Sequence, residues 1–217
     1  MKGTKGMRMA KRNATEITIL HALNWAYDKA LGGVPGFATA TELGDEYARG
    51  EGTLQERADS LIRWQVAKAS TSGFLSGLGG LLTMPITLPA DLVVVSYVQL
   101  RMVAAIAHMG GHDVHEDKVR TLAFACLCGD AAKDVLKGVG IRLGNKLGEK
   151  FVQSISAETI RAINRAVGFR LLTKFGETGL INLGKAIPII GGTVSAVFDG
   201  FATNTVGNVA RDVFTAE

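Results

Sequence analysis

Four times along this chain a small polar residue stands three positions before a glutamate at the head of an apolar-periodic run. The four are Asn13-Ala-Thr-Glu16, Thr39-Ala-Thr-Glu42, Thr53-Leu-Gln-Glu56 and Asp113-Val-His-Glu116. In such a capping box the side-chain oxygen accepts a hydrogen bond from the N3 amide, and the glutamate reaches back to the first amide. One match is cheap. Four, each preceding helical periodicity, predict an all-α fold. With 217 residues and 47% hydrophobic content, the chain can bury a core, and global disorder is excluded.

The spacing predicts a first helix over about 14–31, with Ile17, Leu20, Leu23, Tyr27 and Leu31 on one stripe. A turn at Pro35-Gly36 leads to a short helix near 40–49. A third helix, near 54–72, turns Leu54, Ala58, Leu61 and Ile62 inward. A fourth, about 89–109, is apolar nearly all round despite Asp91, Ser96, Gln99, Arg101 and His108. Its run Val93-Val94-Val95 favours a strand locally. The length of the apolar stretch and the Gly110-Gly111 stop favour a helix. A helix apolar on every face belongs to a core or faces lipid. Further helices are predicted over 114–137, 157–175 and about 188–214, separated by a glycine-broken region at 138–152. The expectation is a single-domain bundle of about seven to eight helices, with the 89–109 and 188–214 helices central.

Between the third and fourth helices, Gly73 to Ala90 run 18 residues without a charge. A membrane-spanning helix needs about 20 apolar residues. Six glycines and prolines within this stretch argue against a straight span. Plain core, shallow membrane insertion and the wall of an apolar ligand cavity all fit. On the last two readings Phe74, Leu75, Leu78, Leu82, Met84 and Ile86 contact the ligand or the acyl chains.

Glycine is the compositional outlier, 27 of 217 residues. Gly140, Gly144 and Gly148 form one ladder at four-residue spacing, and Gly192, Ala196 and Gly200 form another. Each predicts a flat strip for close helix approach, in membrane packing or in a soluble bundle.

Charge is segregated. Residues 1–12 carry Lys2, Lys5, Arg8, Lys11 and Arg12 with no acid. Residues 137–174 carry eight basic residues against Glu149 and Glu158, so the remainder is net acidic although the chain is +4 overall. The basic arm 1–12 and Arg142, Lys146 and Lys150 are the candidates for contact with anionic headgroups. Nucleic acid is disfavoured, since aromatics are sparse and no reading motif is present. No apolar signal core follows the basic start, so a cytoplasmic location is expected.

Asp91, Arg101, Asp199 and Arg211 lie within strongly apolar stretches. Burial of a lone charge is expensive, so pairing with each other or with helix termini is expected. His108, His112 and His115 with Asp113 and Glu116 have a metal-like composition, but a glycine pair interrupts them and no metal is expected. Cys126 and Cys128 read as small buried residues. No phosphate-binding loop, nucleophile elbow or triad order is present, so no catalytic residue and no cofactor is predicted.

GFLSGLGGLLTMPITLPADL, then QLRMVAAIAHMGGHDVHEDKVRTLAFACLCGD, then IPIIGGTVSAVFDGFATNTVGNVARDVF together resemble the EcsC family. With TLQERADSLIRWQVAKAS and the short acidic helix, the likeness extends over about 15–214. It implies a bacterial, helical, membrane-associated protein, and it transfers no catalytic residues. Residues 1–12 have no counterpart in it, so they are separated as an arm from an EcsC-like domain over 13–217.

The functional expectation is a non-enzymatic protein that binds lipid or a hydrophobic ligand at the inner face of the bacterial inner membrane. Two alternatives are an interaction module, such as an accessory subunit of a transporter or a self-associating chain, and a lipid hydrolase with a polar cluster near Asp91 or Asp199.

Overall fold

A computed structural model describes residues 2–69, 90–141, 149–182 and 192–215. Among these residues the chain forms nine α-helices and no strand, as the capping pattern requires. They are α1 (Lys2–Gly32), α2 (Ala40–Ala48), α3 (Leu54–Ala69), α4 (Ala90–Met109), α5 (Asp117–Cys126), α6 (Ala132–Lys137), α7 (Glu149–Ser154), α8 (Ala157–Asn182) and α9 (Gly192–Phe214). A 3-10 turn, Gly129–Ala131, joins α5 to α6.

Two of the four boxes form. Glu42 donates its amide to Thr39 Oγ1 at 3.1 Å, and its carboxylate accepts the Thr39 amide at 2.8 Å. Thr53 and Glu56 repeat this at 3.2 and 2.7 Å. The other two do not start helices. Asn13 lies inside α1, whose helix-forming Lys, Met and Ala residues carry the helix back to Lys2. Asp113 instead accepts the His115 amide at 2.9 Å, a local turn that delays α5 to Asp117. The predicted 114–137 helix is interrupted because the chain passes through Gly129 at φ +59°, where α9 packs against it through Thr205.

α4 is the centre. Every residue from Tyr97 to Ala107 is buried, and α1, α2, α3, α5 and α9 pack around it. Its all-round apolar character is therefore used within the chain. α9 runs alongside α4, as expected, with Gln99 Nε2 donating to Thr203 Oγ1 at 3.3 Å. The buried seam of α1 differs from the predicted stripe: Ile19, Ala22, Leu23, Ala26, Tyr27 and Ala30 are buried, whereas Ile17 is 56% exposed. Tyr27 fixes α1 to α5. Its hydroxyl donates to the Val114 carbonyl at 2.9 Å, its ring meets Phe124 edge-on, and Arg120 covers it at 5.1 Å.

Close helix approach uses glycine at two positions outside the predicted ladders. A Cβ on Gly207 would meet Ile62 at 2.8 Å, and one on Gly44 would meet the Ala105 carbonyl at 2.9 Å. Gly140 adopts φ +85° beyond the end of α6, so it closes that helix and lies on no helical strip. Gly144, Gly148 and residues 73–89 lie outside the described residues.

Two outcomes test this architecture. A Cβ on Gly110 would fall 2.1 Å from the Phe214 carbonyl oxygen, which is backbone and cannot rotate away. Gly110→Ala is expected to cost about 1–3 kcal/mol in urea unfolding, in the range of overpacking. The hydrogen bonds from Thr39 and Thr53 hold Glu42 and Glu56 below their ordinary value of 4.5. A lowered folded value stabilises above the unfolded value, and that contribution is lost as pH falls through the folded one. Glu42→Gln with Glu56→Gln is expected to flatten the stability loss measured below pH 4.5.

Candidate functional site

Arg101 was expected to be buried, and it is, with 3% of its surface exposed. Its position follows from the fold. Pro35-Gly36 turns the chain back, with the Phe37 amide bonding the Val34 carbonyl at 2.9 Å, and brings Phe37 and Ala38 over α4. α3 then supplies Gln65 from the other side. The Arg101 Nη1 donates to the Ala38 carbonyl at 3.1 Å, and Nη2 donates to Gln65 Oε1 at 3.2 Å. The guanidinium lies over the Phe37 ring at 5.7 Å. Tyr97, four residues earlier in α4, shares its face.

An ion pair to Asp91 does not hold this arginine, and the Asp199 side chain lies outside the described residues. Asp91 sits ten residues before Arg101 on the same helix, roughly 15 Å along the axis, too far for an ion pair. Among the described residues no carboxylate lies within ion-pair distance of Arg101. Its Nε, the Gln65 Nε2 and the Tyr97 hydroxyl are all buried without a well-formed hydrogen bond, although the Tyr97 oxygen lies near enough to the guanidinium to act on it as an acceptor. Burial pulls the guanidinium below its usual range, partly offset by the Tyr97 hydroxyl. Burial raises the Tyr97 hydroxyl in turn, and the neighbouring Arg101 charge opposes that rise.

Arg211 behaves differently. Burial alone would lower it, but hydrogen bonds and charge from Asp59 and Asp212 outweigh that and raise it. It is half-buried; its ion pair with Asp59 at 2.5 Å joins α9 to α3, and Asp212 of α9 itself lies at 3.0 Å. Asp199 lies in α9 and Asp91 in α4, and the side chains of both fall outside the description.

The three histidines do not converge. His108 bonds Asp45 of α2 at 2.8 Å, His112 packs edge-on against Phe214, and the His115 amide closes the Asp113 turn. Glu116 accepts from Gln153 of α7 instead. Cys126 and Cys128 are both buried, and burial pushes the Cys126 thiol well above the usual range.

A second feature lies on the surface. Arg161, Arg165 and Phe169 follow at four-residue spacing along the exposed face of α8. Phe169 is 42% exposed. Neither arginine meets a carboxylate among the described residues, whereas Arg170 faces Asp134 at 3.9 Å. The sequence places both arginines in a basic zone, but its headgroup candidates there are Arg142, Lys146 and Lys150. Arg142 and Lys146 lie outside the described residues, and Lys150 sits in α7, where the backbone alone is described. The same holds for Lys2, Lys5, Arg8, Lys11 and Arg12 in the first turns of α1. Phe74, Leu75, Leu78, Leu82, Met84 and Ile86 also lie outside the described residues. No described helix is long and apolar enough to cross a membrane.

The EcsC protein family model matches residues 51–216, most of the chain. The chain belongs to the EcsC family. The match begins at Glu51, so the likeness read upstream, from about residue 15, falls outside it. No curated protein and no solved structure matches the chain. In this EcsC protein the matched stretch contains Gln65, Tyr97 and Arg101, while the Ala38 carbonyl comes from the segment before it.

Arg101→Met is expected to destabilise by about 1–3 kcal/mol, because Gln65 and the Ala38 carbonyl would lose their donor inside the core. Adding Gln65→Leu is expected to restore part of that loss. A double-mutant cycle by urea unfolding measures the coupling, and additive effects would separate the two side chains.

Proposed function

We propose that this protein is a non-enzymatic lipid-binding protein that attaches peripherally to the cytoplasmic face of the bacterial inner membrane. The observation that carries this reading is the α8 stripe of Arg161, Arg165 and Phe169. Its two guanidinium groups have no described carboxylate, and Phe169 one turn on is 42% exposed. Arginines with an exposed aromatic on one helix face suit an anionic interface, where the charges meet headgroups and the ring meets the acyl boundary. Each basic residue near such a surface contributes about 1 kcal/mol.

Two further features support it. The arm 1–12 adds five basic residues. Trp64, 51% exposed with the Lys68 ammonium 5.1 Å from its ring, closes α3 shortly before the uncharged stretch Gly73–Ala90. The accessory-module alternative drew on glycine strips. The close-packing glycines described here, Gly44 and Gly207, face other helices of the same chain.

Co-sedimentation with vesicles containing phosphatidylglycerol is expected to fall with rising salt and to weaken at least about tenfold in an Arg161→Glu/Arg165→Glu variant, two charge reversals at about 1 kcal/mol per charge. Phe169→Ala is expected to weaken it less. Unchanged partition in both variants would remove α8 as the contact.

A further inference from the structure

The cluster in the core has more donors than acceptors. Arginine offers N–H groups and no acceptor, so the Gln65 oxygen must face Arg101 and its amide nitrogen is left over. Arg101 Nε and the Tyr97 hydroxyl also lack a well-formed partner; the Tyr97 oxygen can accept from the adjacent guanidinium, but its own proton is then left over. All three belong to side chains at least nine-tenths buried, 0% exposed for Gln65 and Tyr97 and 3% for Arg101. A structural ion pair would supply a carboxylate, and the described residues supply none. A water molecule would satisfy the hydrogens but leave the charge uncompensated.

We infer that Arg101, Gln65 and Tyr97 form a binding site for a single carboxylate group, at the junction of α3, α4 and the turn before α2. A carboxylate has two coplanar acceptor oxygens that suit the guanidinium edge carrying Nε. Its single negative charge balances one buried cation, whereas a phosphate dianion would overshoot it. Gln65 and Tyr97 supply the remaining donors. The Ala38 carbonyl and the Phe37 ring hold the guanidinium in place from its other sides. The carboxylate comes either from an alkyl-chain acid or from a small free acid. The site does not depend on the α8 contact, so loss of vesicle binding leaves it untouched.

The test is thermal melting and calorimetric titration of the full chain with decanoate, decanol, acetate and inorganic phosphate. Decanoate is expected to raise Tm and titrate with one site, while decanol does neither. Acetate matching decanoate would support the site and identify its ligand as a small free acid. Gln65→Glu places an internal carboxylate beside Arg101. It is expected to melt no lower than the parent and to lose the decanoate response. Tyr97→Phe keeps the fold and removes one donor, and it is expected to weaken decanoate severalfold. Should Gln65→Glu fail to fold, Tyr97→Phe decides, and undiminished affinity there overturns the site. It is equally overturned if no carboxylate shifts Tm, if decanol matches decanoate, or if phosphate alone responds.

Discussion

Everything in this fold is arranged around one helix that has no solvent face. Over its central turns α4 is enclosed by α1, α2, α3, α5 and α9. Covering a helix on all sides requires partners that approach closely, and glycine at the contacts permits that approach. Gly44 lets α2 sit on the Ala105 carbonyl, Gly207 lets α9 sit against Ile62 and Met102, and Gly110 lets the end of α9 reach the end of α4. Alanine serves the same end on α1 and along α4. The cost is that any polar group on α4 must find its partner inside the protein, since water is excluded from every side.

The fold was legible where the signal was local and chemically redundant. Thr39–Glu42 and Thr53–Glu56 begin their helices because a turn with nothing helical upstream precedes each. Asn13–Glu16 has the same letters, but the residues before it are good helix formers, so the box has no helix start to mark. Asp113 found a nearer partner, the His115 amide. The α1 seam was misplaced for a different reason. Large residues dominate a periodicity count, whereas the buried face of α1 also takes in Ala22, Ala26 and Ala30. A pattern of large residues locates an apolar face to within about one residue, and here that shift leaves Ile17 in water.

The candidate site was half legible. An arginine inside an apolar helix announces burial, and Tyr97 four residues before it on the same face was available to reading. Gln65 and the Ala38 carbonyl lie 36 and 63 residues away in sequence, and only the tertiary arrangement unites them. Pairing by charge, the usual rule for buried ions, pointed to the other charges in apolar stretches, and helix geometry places Asp91 among them well beyond reach. The α8 stripe was missed because its arginines were counted as part of a regional charge. Their shared face with Phe169 matters more than their number.

The two arginine features obey different electrostatics, and that difference ties them to different chemistry. Arg161 and Arg165 stand in water, where mobile ions screen an exposed charge over roughly 8–10 Å at ordinary ionic strength. Such charges attract an extended anionic surface, because many weak interactions add. Arg101 is enclosed, so salt cannot screen it and solvent cannot compensate it. A charge in that position selects one small anion with the right geometry, since only a directly bonded group can replace the lost hydration. On the two proposals made above, α8 supplies a nonselective outer contact and Arg101 a selective inner one. Should both proposals hold, an acid with an apolar tail suits the pair, its carboxylate matching Arg101 and its chain matching an acyl interface, whereas a small free acid suits the inner site alone.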